Sequence, residues 1–437
     1  MAITKTKASN KPKQVSTKKK IVLFVGPVPL KAIQKWKESE PHTWLFYNLQ
    51  STKQKKVKIE EARKVFDKVI QCSFSSDDSI TRALLPFRDQ IAAITSRSEA
   101  KMWYFKRTIP HVPYVKAPTE SSLLWATDKI EMRKRLSAYD STITPKFMVV
   151  RDTSEGVVNE IEKKLTYPVM VKPTGLVSSI LVTNCYHRDE LEAALEAVYK
   201  KAGIFHKIYK EFYHEDTPQV LVEELMDGEM YSIDGVVNGK GRVTCYPPVH
   251  VKTGKQIGFD DYFGYQRLLP SLLNEKSIHR AEDATKKAVH AIGLRYTPFH
   301  IELLKTEDGW KIIELGPRIG GYRQAMYKMS YNIDCTTNDI RTRMMKKPEV
   351  PKRVKGHTAV LNIFSRKEGR ISQIKGIIKL STISSIVSIQ QTKKVGDIVK
   401  FAKNGGKSVI NITMFNVDRS ELLADIRRIE NSLSIEV

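Results

Sequence analysis

Glu302 and Glu314 lie in two short β-branched, apolar runs, FHIELL and KIIEL, on either side of the polar turn Glu307-Asp308-Gly309. A three-residue hairpin loop favours a type I turn followed by a left-handed residue, and Gly309 stands at that third position. Closing the loop there pairs Thr306 with Trp310 and sets Glu302 directly opposite Glu314. Opposed residues of an antiparallel pair share a face with Cβ atoms about 5 Å apart, and like charges so placed repel. Alternation sends Ile301, Leu303, Ile313 and Leu315 to the other face, into a core. Two carboxylates held together above an apolar layer call for a cation, and oxygen ligands of this kind suit Mg²⁺ carrying nucleotide phosphates. The loop that follows, Gly316-Pro317-Arg318-Ile319-Gly320-Gly321, lets backbone and one guanidinium approach an anion closely. For this stretch alone, a surface hairpin with two solvated glutamates is the plain alternative.

Other residues upstream could serve an anionic ligand. Lys172 ends the run Val169-Met170-Val171, ahead of Gly175, Ser178 and Ser179. A cation beside backbone amides and hydroxyls can cradle phosphate, although a lone lysine at a strand end more often snorkels to water. The loop matches no Walker A pattern. Glu223, Glu224 and Glu229 bracket a strand, the turn Asp227-Gly228 and a returning strand. Edge backbone at such a hinge can bond an adenine and a carboxylate can take two ribose hydroxyls, with solvated surface glutamates as the alternative. No Ser-His-Asp or nucleophilic-cysteine arrangement is apparent. His250, Tyr262, Tyr265, Arg267, Tyr322 and Arg323 are polar or aromatic candidates for a substrate pocket.

The elements that must position these residues follow from periodicity. KIVLFVG, TWLFYNL, and strands at 68–72 and 90–95 alternate with helical patterns, which predicts an α/β unit with a parallel sheet at 21–118. It lacks a GxGxxG fingerprint. From 119 to 349 the pattern predicts a helix over 120–138, with Ile130, Arg133 and Leu136 on one face. Strands follow at 142–150, 167–173, 180–185, 219–226 and 229–237, with helices at 157–165, 188–201 and 277–293. Asn238-Gly239 signals a hairpin, and 247–272 reads as a long pocket-lining loop. From 350 to 437, short strands and a closing helix predict a small α+β unit. The fold class expected is therefore multidomain α/β and α+β.

At 437 residues the chain is long enough for two or three domains. No run of about 18 apolar residues exists, so no membrane span is expected. The lysine-rich start lacks the apolar stretch of a secretory signal. Cys72, Cys185, Cys245 and Cys335 are scattered without metal-like spacing, which fits a reduced, cytoplasmic setting. The formal net charge is +25; residues 1–20 hold seven of the lysines and no acid, and read as a basic disordered tail. The remaining surplus keeps nucleic acid open as a partner, and equally suits anionic substrates.

Taken in order, TDKIEMRKRL (127–136), YPVMVKP (167–173), VLVEELMDGEMYSIDG (220–235) and HIELL…IIELGPRIGG (300–321) resemble the ATP-grasp superfamily of carboxylate–amine ligases. The flanking units look like that family's preceding α/β domain and its C-terminal lid-like subdomain, and the layout is most similar to the amino-acid ligase, carnosine synthase and biotin carboxylase-like branch. The resemblance implies ATP and Mg²⁺, or Mn²⁺, as cofactors. It places Lys129 and Lys172 on the phosphates under a loop carrying Gly175, Ser178 and Ser179. Glu223 would take the adenine amino group, the backbone of Glu224, Leu225 and Met226 would complete the hinge, and Glu229 would hold the ribose. Glu302 and Glu314 would hold the metal, and Arg318 would stabilise the anionic transition state. Small carboxylate and amine substrates, joined through an acyl-phosphate, are implied, and a homodimer by family analogy. The sequence departs from the family at Gly316, where an Asn metal ligand is usual, and in a loop short of glycine. Formyl or carboxyl transfer to an anionic acceptor, and a non-catalytic nucleotide- or nucleic-acid-binding derivative, are the competing readings.

Overall fold

The structure, a computed structural model, describes residues 20–39, 44–173, 182–213 and 219–437. Residues 1–19 of the basic tail, and Gly175, Ser178 and Ser179 of the proposed phosphate loop, lie outside the described residues.

The first sheet is parallel, with β1 (Ile21–Val25), β2 (Leu45–Ser51), β3 (Lys68–Cys72) and β4 (Ile91–Thr95) in the order β3-β2-β1-β4. Every residue of β1 is buried because both faces are covered. Ile21, Leu23 and Val25 pack on one side, and Val22 and Phe24 on the other. A strand covered on both faces needs no polar alternation, hence IVLFV.

The second sheet is antiparallel, with β5 (Phe147–Val150), β6 (Val169–Pro173), β7 (Thr183–Cys185) and β8 (Val220–Glu224) in the order β5-β8-β6-β7. Helices Glu155–Lys164 and Arg188–Tyr213 close its apolar face through Val158, Ile161, Leu191 and Leu195.

The third sheet carries most of the remaining chain. It contains β9 (Glu229–Val237), β10 (Val243–Cys245), β11 (Val249–Thr253), β12 (Gly264–Leu269), β13 (Thr297–Thr306), β14 (Gly309–Gly316) and β15 (His357–Ile363). Strands Ile410–Asn416 and Ile386–Gln391 extend it beyond β15, so the C-terminal strands share a sheet with the glutamate hairpin. Helix Glu275–Ala291 packs Ala281, Ala284, Ala288 and Val289 against Ile233, Phe299, Ile301 and Leu303 below that hairpin.

Several expectations are corrected. The stretch 247–272 is not a plain loop: β11 and β12 form an antiparallel pair within it. Five- and six-residue strands separated by glycines and aromatics leave too short an alternation to read. The helix expected over 120–138 is two helices, Glu120–Thr127 and Lys129–Tyr139. Asp128 breaks them because its carboxylate accepts the amides of Ile130 and Glu131 at 2.8 and 3.0 Å, capping the second helix. The strand expected over 142–150 begins only at Phe147, after a short 3₁₀ turn.

The hairpin itself differs in detail and agrees in outcome. Thr306 pairs with Gly309, leaving a two-residue loop, and Gly309 takes φ +122°. A bulge between Glu302 and Leu303 then shifts the register, so Leu303 faces Ile312 while Glu302 still faces Glu314. The extra residue is Ile313. Ile312, not Ile313, joins Leu303 and Leu315 in the core. Ile312→Ala is therefore expected to cost about 2–5 kcal/mol in denaturant unfolding, and Ile313→Ala clearly less. Equal losses would contradict the bulge.

Candidate functional site

Arg133 projects from helix Lys129–Tyr139 into a space between the second and third sheets, where it is 1% exposed. Its Nε donates to Glu223 Oε1, and its NH2 donates to Glu223 Oε2 at 3.3 Å. NH1 and NH2 also donate to the carbonyls of Ile312 and Ile313, at 3.0 and 2.9 Å. These carbonyls belong to the bulged stretch of β14. Lys172 Nζ donates to Glu223 Oε2 at 2.5 Å. Burial alone would raise the Glu223 pKa, but Arg133 and Lys172 hold the carboxyl down to about 2. Burial also draws Lys172 below its ordinary range, against the pull of Glu223. Lys129, at the start of the same helix, brings Nζ to 3.8 Å from Glu314 Oε1. Thus Lys129, Lys172, Glu223 and Glu314 are brought together, with Arg133 at the centre.

On the third sheet the polar face forms two adjoining rows. Glu314, Glu302 and Ser232 lie across β14, β13 and β9, as do Gly316, His300 and Asp234. His300 bridges two carboxylates, with Nδ1 at 3.1 Å from Asp234 Oδ2 and Nε2 at 3.6 Å from Glu302 Oε1. Burial opposes protonation of His300, but Asp234 and Glu302 hold its pKa above the ordinary value. Burial likewise opposes ionisation of Glu302, which His300 and then Arg267 outweigh, so its pKa is lowered. Asp234 also accepts the Gly320 amide at 2.8 Å and faces Arg323 Nε at 3.3 Å. The loop after β14 is thereby drawn down onto the sheet. A Cβ on Gly320 would lie 2.5 Å from His300 Nδ1, so this close approach requires glycine.

The remaining sequence candidates divide. Arg318 does not stand open to the cleft: its Nε and NH2 both donate to Glu99 Oε2, the former at 2.8 Å, from the segment after β4. Burial works against its charge, but Glu99 raises its pKa. A Cβ on Gly316 would lie 3.6 Å from that same Glu99 oxygen, so Glu99 borders the position where the family usually has Asn. At the hinge, the Glu224 amide donates to Lys146 O and the Leu225 amide to Pro168 O, both at 3.0 Å. No such bond to the Met226 amide occurs among the described residues. Glu224 also accepts the Lys146 amide through Oε2, and Glu229 accepts from Tyr231 Oη at 3.0 Å. Glu223, buried and doubly ion-paired, presents no open carboxylate. Of the pocket candidates, Arg267, Tyr322 and Arg323 meet near Glu302. Tyr265 is turned to Glu430, and Tyr262 accepts from Asn184.

Arg133, Asp234, His300 and Glu99 were not singled out by sequence reasoning. Two signals were present. An arginine on the apolar face of a helix requires a buried acid, and His300-x-Glu302 on one strand places both side chains on one face.

The donor set suits the ions and nucleotide that the resemblance implies. Two opposed carboxylates supply oxygen ligands, and among the described residues no third His, Cys, Asp or Glu completes a cluster with them. Phosphate oxygens and water would complete the sphere of Mg²⁺.

Lys172 on the second sheet and Lys129 on the adjoining helix thus accompany the opposed glutamates of the third sheet. Residues 165–326 match the family described as the ATP-grasp domain, and the chain carries one. It is 28% identical over 192 residues to a D-alanine–D-alanine ligase of Halothermothrix orenii, covering 41% of this chain and 50% of that protein. An uncharacterized protein of Sinorhizobium fredii is 24% identical over 307 residues, 69% of this chain and 59% of that protein. The chain thus spans about half the length of the curated relatives it matches. In fold it is similar to the L-amino acid ligase from Bacillus licheniformis, with TM-score 0.73 and 17% identity over 96% of this chain and 99% of that one. No helix among the described residues is long and apolar enough to cross a membrane.

Glu223→Gln leaves two buried cations without their counterion, and a loss of about 3–5 kcal/mol in urea unfolding is expected at neutral pH. Because the folded pKa lies below the model-peptide value of 4.5, the wild-type contribution is full above 4.5 and is lost as pH falls toward about 2. The variant should show a shallower loss of stability across that window. Parallel acid-unfolding curves would refute the assignment.

Proposed function

We propose that the protein is an ATP- and Mg²⁺-dependent carboxylate–amine ligase acting on small substrates, with an amino acid the leading class of carboxylate. The observation that carries this reading is the opposed pair Glu302 and Glu314, with Lys129 3.8 Å from Glu314, on an ATP-grasp domain.

In this reading Glu302 and Glu314 hold the metal, and bound Mg²⁺ would neutralise phosphate charge. Lys129 and Lys172 face the phosphates, with Lys172 exchanging part of its bond to Glu223 for them. Glu223 acts through Lys172 and Arg133 as a positioning residue; the adenine contact proposed for its side chain is set aside because both carboxylate oxygens are taken. The Met226 amide serves the adenine edge and Glu229 the ribose. His300 keeps Glu302 ionised and oriented, itself held by Asp234.

The chemistry suits such parts. A carboxylate is a poor electrophile because its leaving group would be oxide. Its oxygen attacks the γ-phosphorus, the bond to the β-phosphate oxygen breaks, and ADP leaves an acyl-phosphate. The amine nitrogen then attacks the acyl carbon, the carbon–oxygen bond breaks, and phosphate departs as the nitrogen loses a proton. Both steps place negative charge on oxygen, so positioning and cations suffice.

With ATP, Mg²⁺ and a panel of amino acids, purified protein should release ADP and phosphate in an amino-acid-dependent manner. Glu314→Ala should lower that rate about a hundredfold or more with little change in thermal stability. Unchanged turnover would remove the metal assignment, and ADP release requiring bicarbonate or formate instead would favour carboxyl or formyl transfer.

A further inference from the structure

Three arginines border the polar face of the third sheet, and their partners differ. Arg318 is paired with Glu99, and Arg323, 2% exposed, with Asp234. Arg267, on β12, has no carboxylate within 4 Å among the described residues, although Glu302 is near enough to stabilise its charge. It is nevertheless a positioned group. NH1 donates to Gly264 O at 3.0 Å and to Asn362 Oδ1 at 2.5 Å. Asn362 is fixed in turn, its Nδ2 donating to Asn411 Oδ1 at 2.7 Å and to Tyr322 Oη at 3.1 Å. The guanidinium carbon lies 5.6 Å from the centre of the Tyr322 ring.

These contacts use one corner of the guanidinium. Nε and NH2 have no hydrogen-bond partner among the described residues, and the side chain is only partly buried. Two observations show that the fold accommodates this arrangement. A Cβ on Gly264 would lie 2.5 Å from NH2, so the guanidinium occupies space that only glycine leaves. Tyr322 stands at φ +63°, a strained conformation for a bulky residue, and that conformation sets its ring beside Arg267. Burial lowers the Arg267 pKa to about 10, with Arg323 adding to the shift.

We propose that Arg267 is a carboxylate receptor, its Nε–NH2 edge taking a substrate carboxylate as a bidentate pair, with Tyr322 as the pocket wall. A planar fork with two parallel donors free matches a planar carboxylate, whereas a lone point charge would not select that geometry. Resting on the ligase reading, this names the substrate feature that the pocket selects: an acidic group recognised on the β12 side of Glu302.

The test is calorimetric binding to the full chain of acetate, succinate and alanine, each beside its amide. At least one acid should bind more tightly than its amide. Arg267→Gln should weaken that binding about tenfold or more, and Arg267→Lys should recover only part, since it keeps the charge without the fork. Gly264→Ala, which keeps the arginine and crowds NH2, should weaken binding as well. ATP affinity should be unchanged in all three. Equal binding of acids and amides, no binding of any acid to the wild type, or wild-type affinity in Arg267→Gln would overturn the receptor. ADP release measured on the same samples separates the two readings. Arg267-dependent binding without turnover keeps the receptor and removes the ligase, and amino-acid-dependent turnover unaffected by Arg267→Gln does the reverse.

Discussion

The arrangement of the site depends on the buried ion pair between Arg133 and Glu223. Both side chains are 1% exposed, and taking two such charges out of water is affordable only when their hydrogen-bonding groups are occupied. Glu223 meets Arg133 and Lys172, while Arg133 turns its remaining donors to the carbonyls of Ile312 and Ile313. One guanidinium thereby fixes a helix, the second sheet and the bulge of β14 relative to one another. Lys172 and Lys129 on one side, and Glu314 on the other, owe their proximity to that bond set. The bulge exposes the carbonyls that Arg133 binds, and it also restores the register that opposes the glutamates.

A second constraint acts on the loop after β14. Asp234 is buried and receives His300, Arg323 and the Gly320 amide, and burial of its charge is outweighed so that its pKa falls. A carboxylate with this many donors anchors the loop to the sheet. Ser232 accepts Arg323 NH2 at 2.7 Å on the same face. The strained Tyr322 follows at the start of helix Arg323–Tyr331, which places its side chain between Arg267 and Asn362. The first unit joins here as well. Glu99 holds Arg318, and Thr95 on β4 donates to Asp339, which accepts Arg343 at 2.7 Å. The cleft is thus bordered by three parts of the chain.

The sequence was informative where one period dominates. The runs of β1, β6, β8 and β13 were legible because burial on one or both faces imposes a simple pattern. The glutamates oppose each other for a partly different reason than a three-residue loop would supply. The loop is one residue shorter than Gly309 suggested, and the bulge at Ile313 adds one residue back. Two local deviations cancel at Glu302 and Glu314, while the core assignment passes from Ile313 to Ile312. Strands β11 and β12 were missed because Gly254 and Gly258, with the intervening aromatics, interrupt the alternation before it can be recognised.

Residue order and type alone determined most of the elements and the set of charged groups at the candidate site, because side-chain period and turn residues act over a few neighbours. Partner choice was decided only by tertiary structure. Arg318 reads as an open guanidinium in its glycine loop, yet it meets Glu99, 219 residues away. Glu223 reads as a hinge ligand, yet it neutralises Arg133 and Lys172. Arg267 reads as one of several pocket candidates in a long loop, and it becomes a candidate receptor because it lies on β12 with no carboxylate within 4 Å among the described residues. Local pattern reports whether a side chain is buried, but sheet order and helix packing decide which charge lies across from it. For buried ions the identity of that neighbour sets both the pKa and the chemistry.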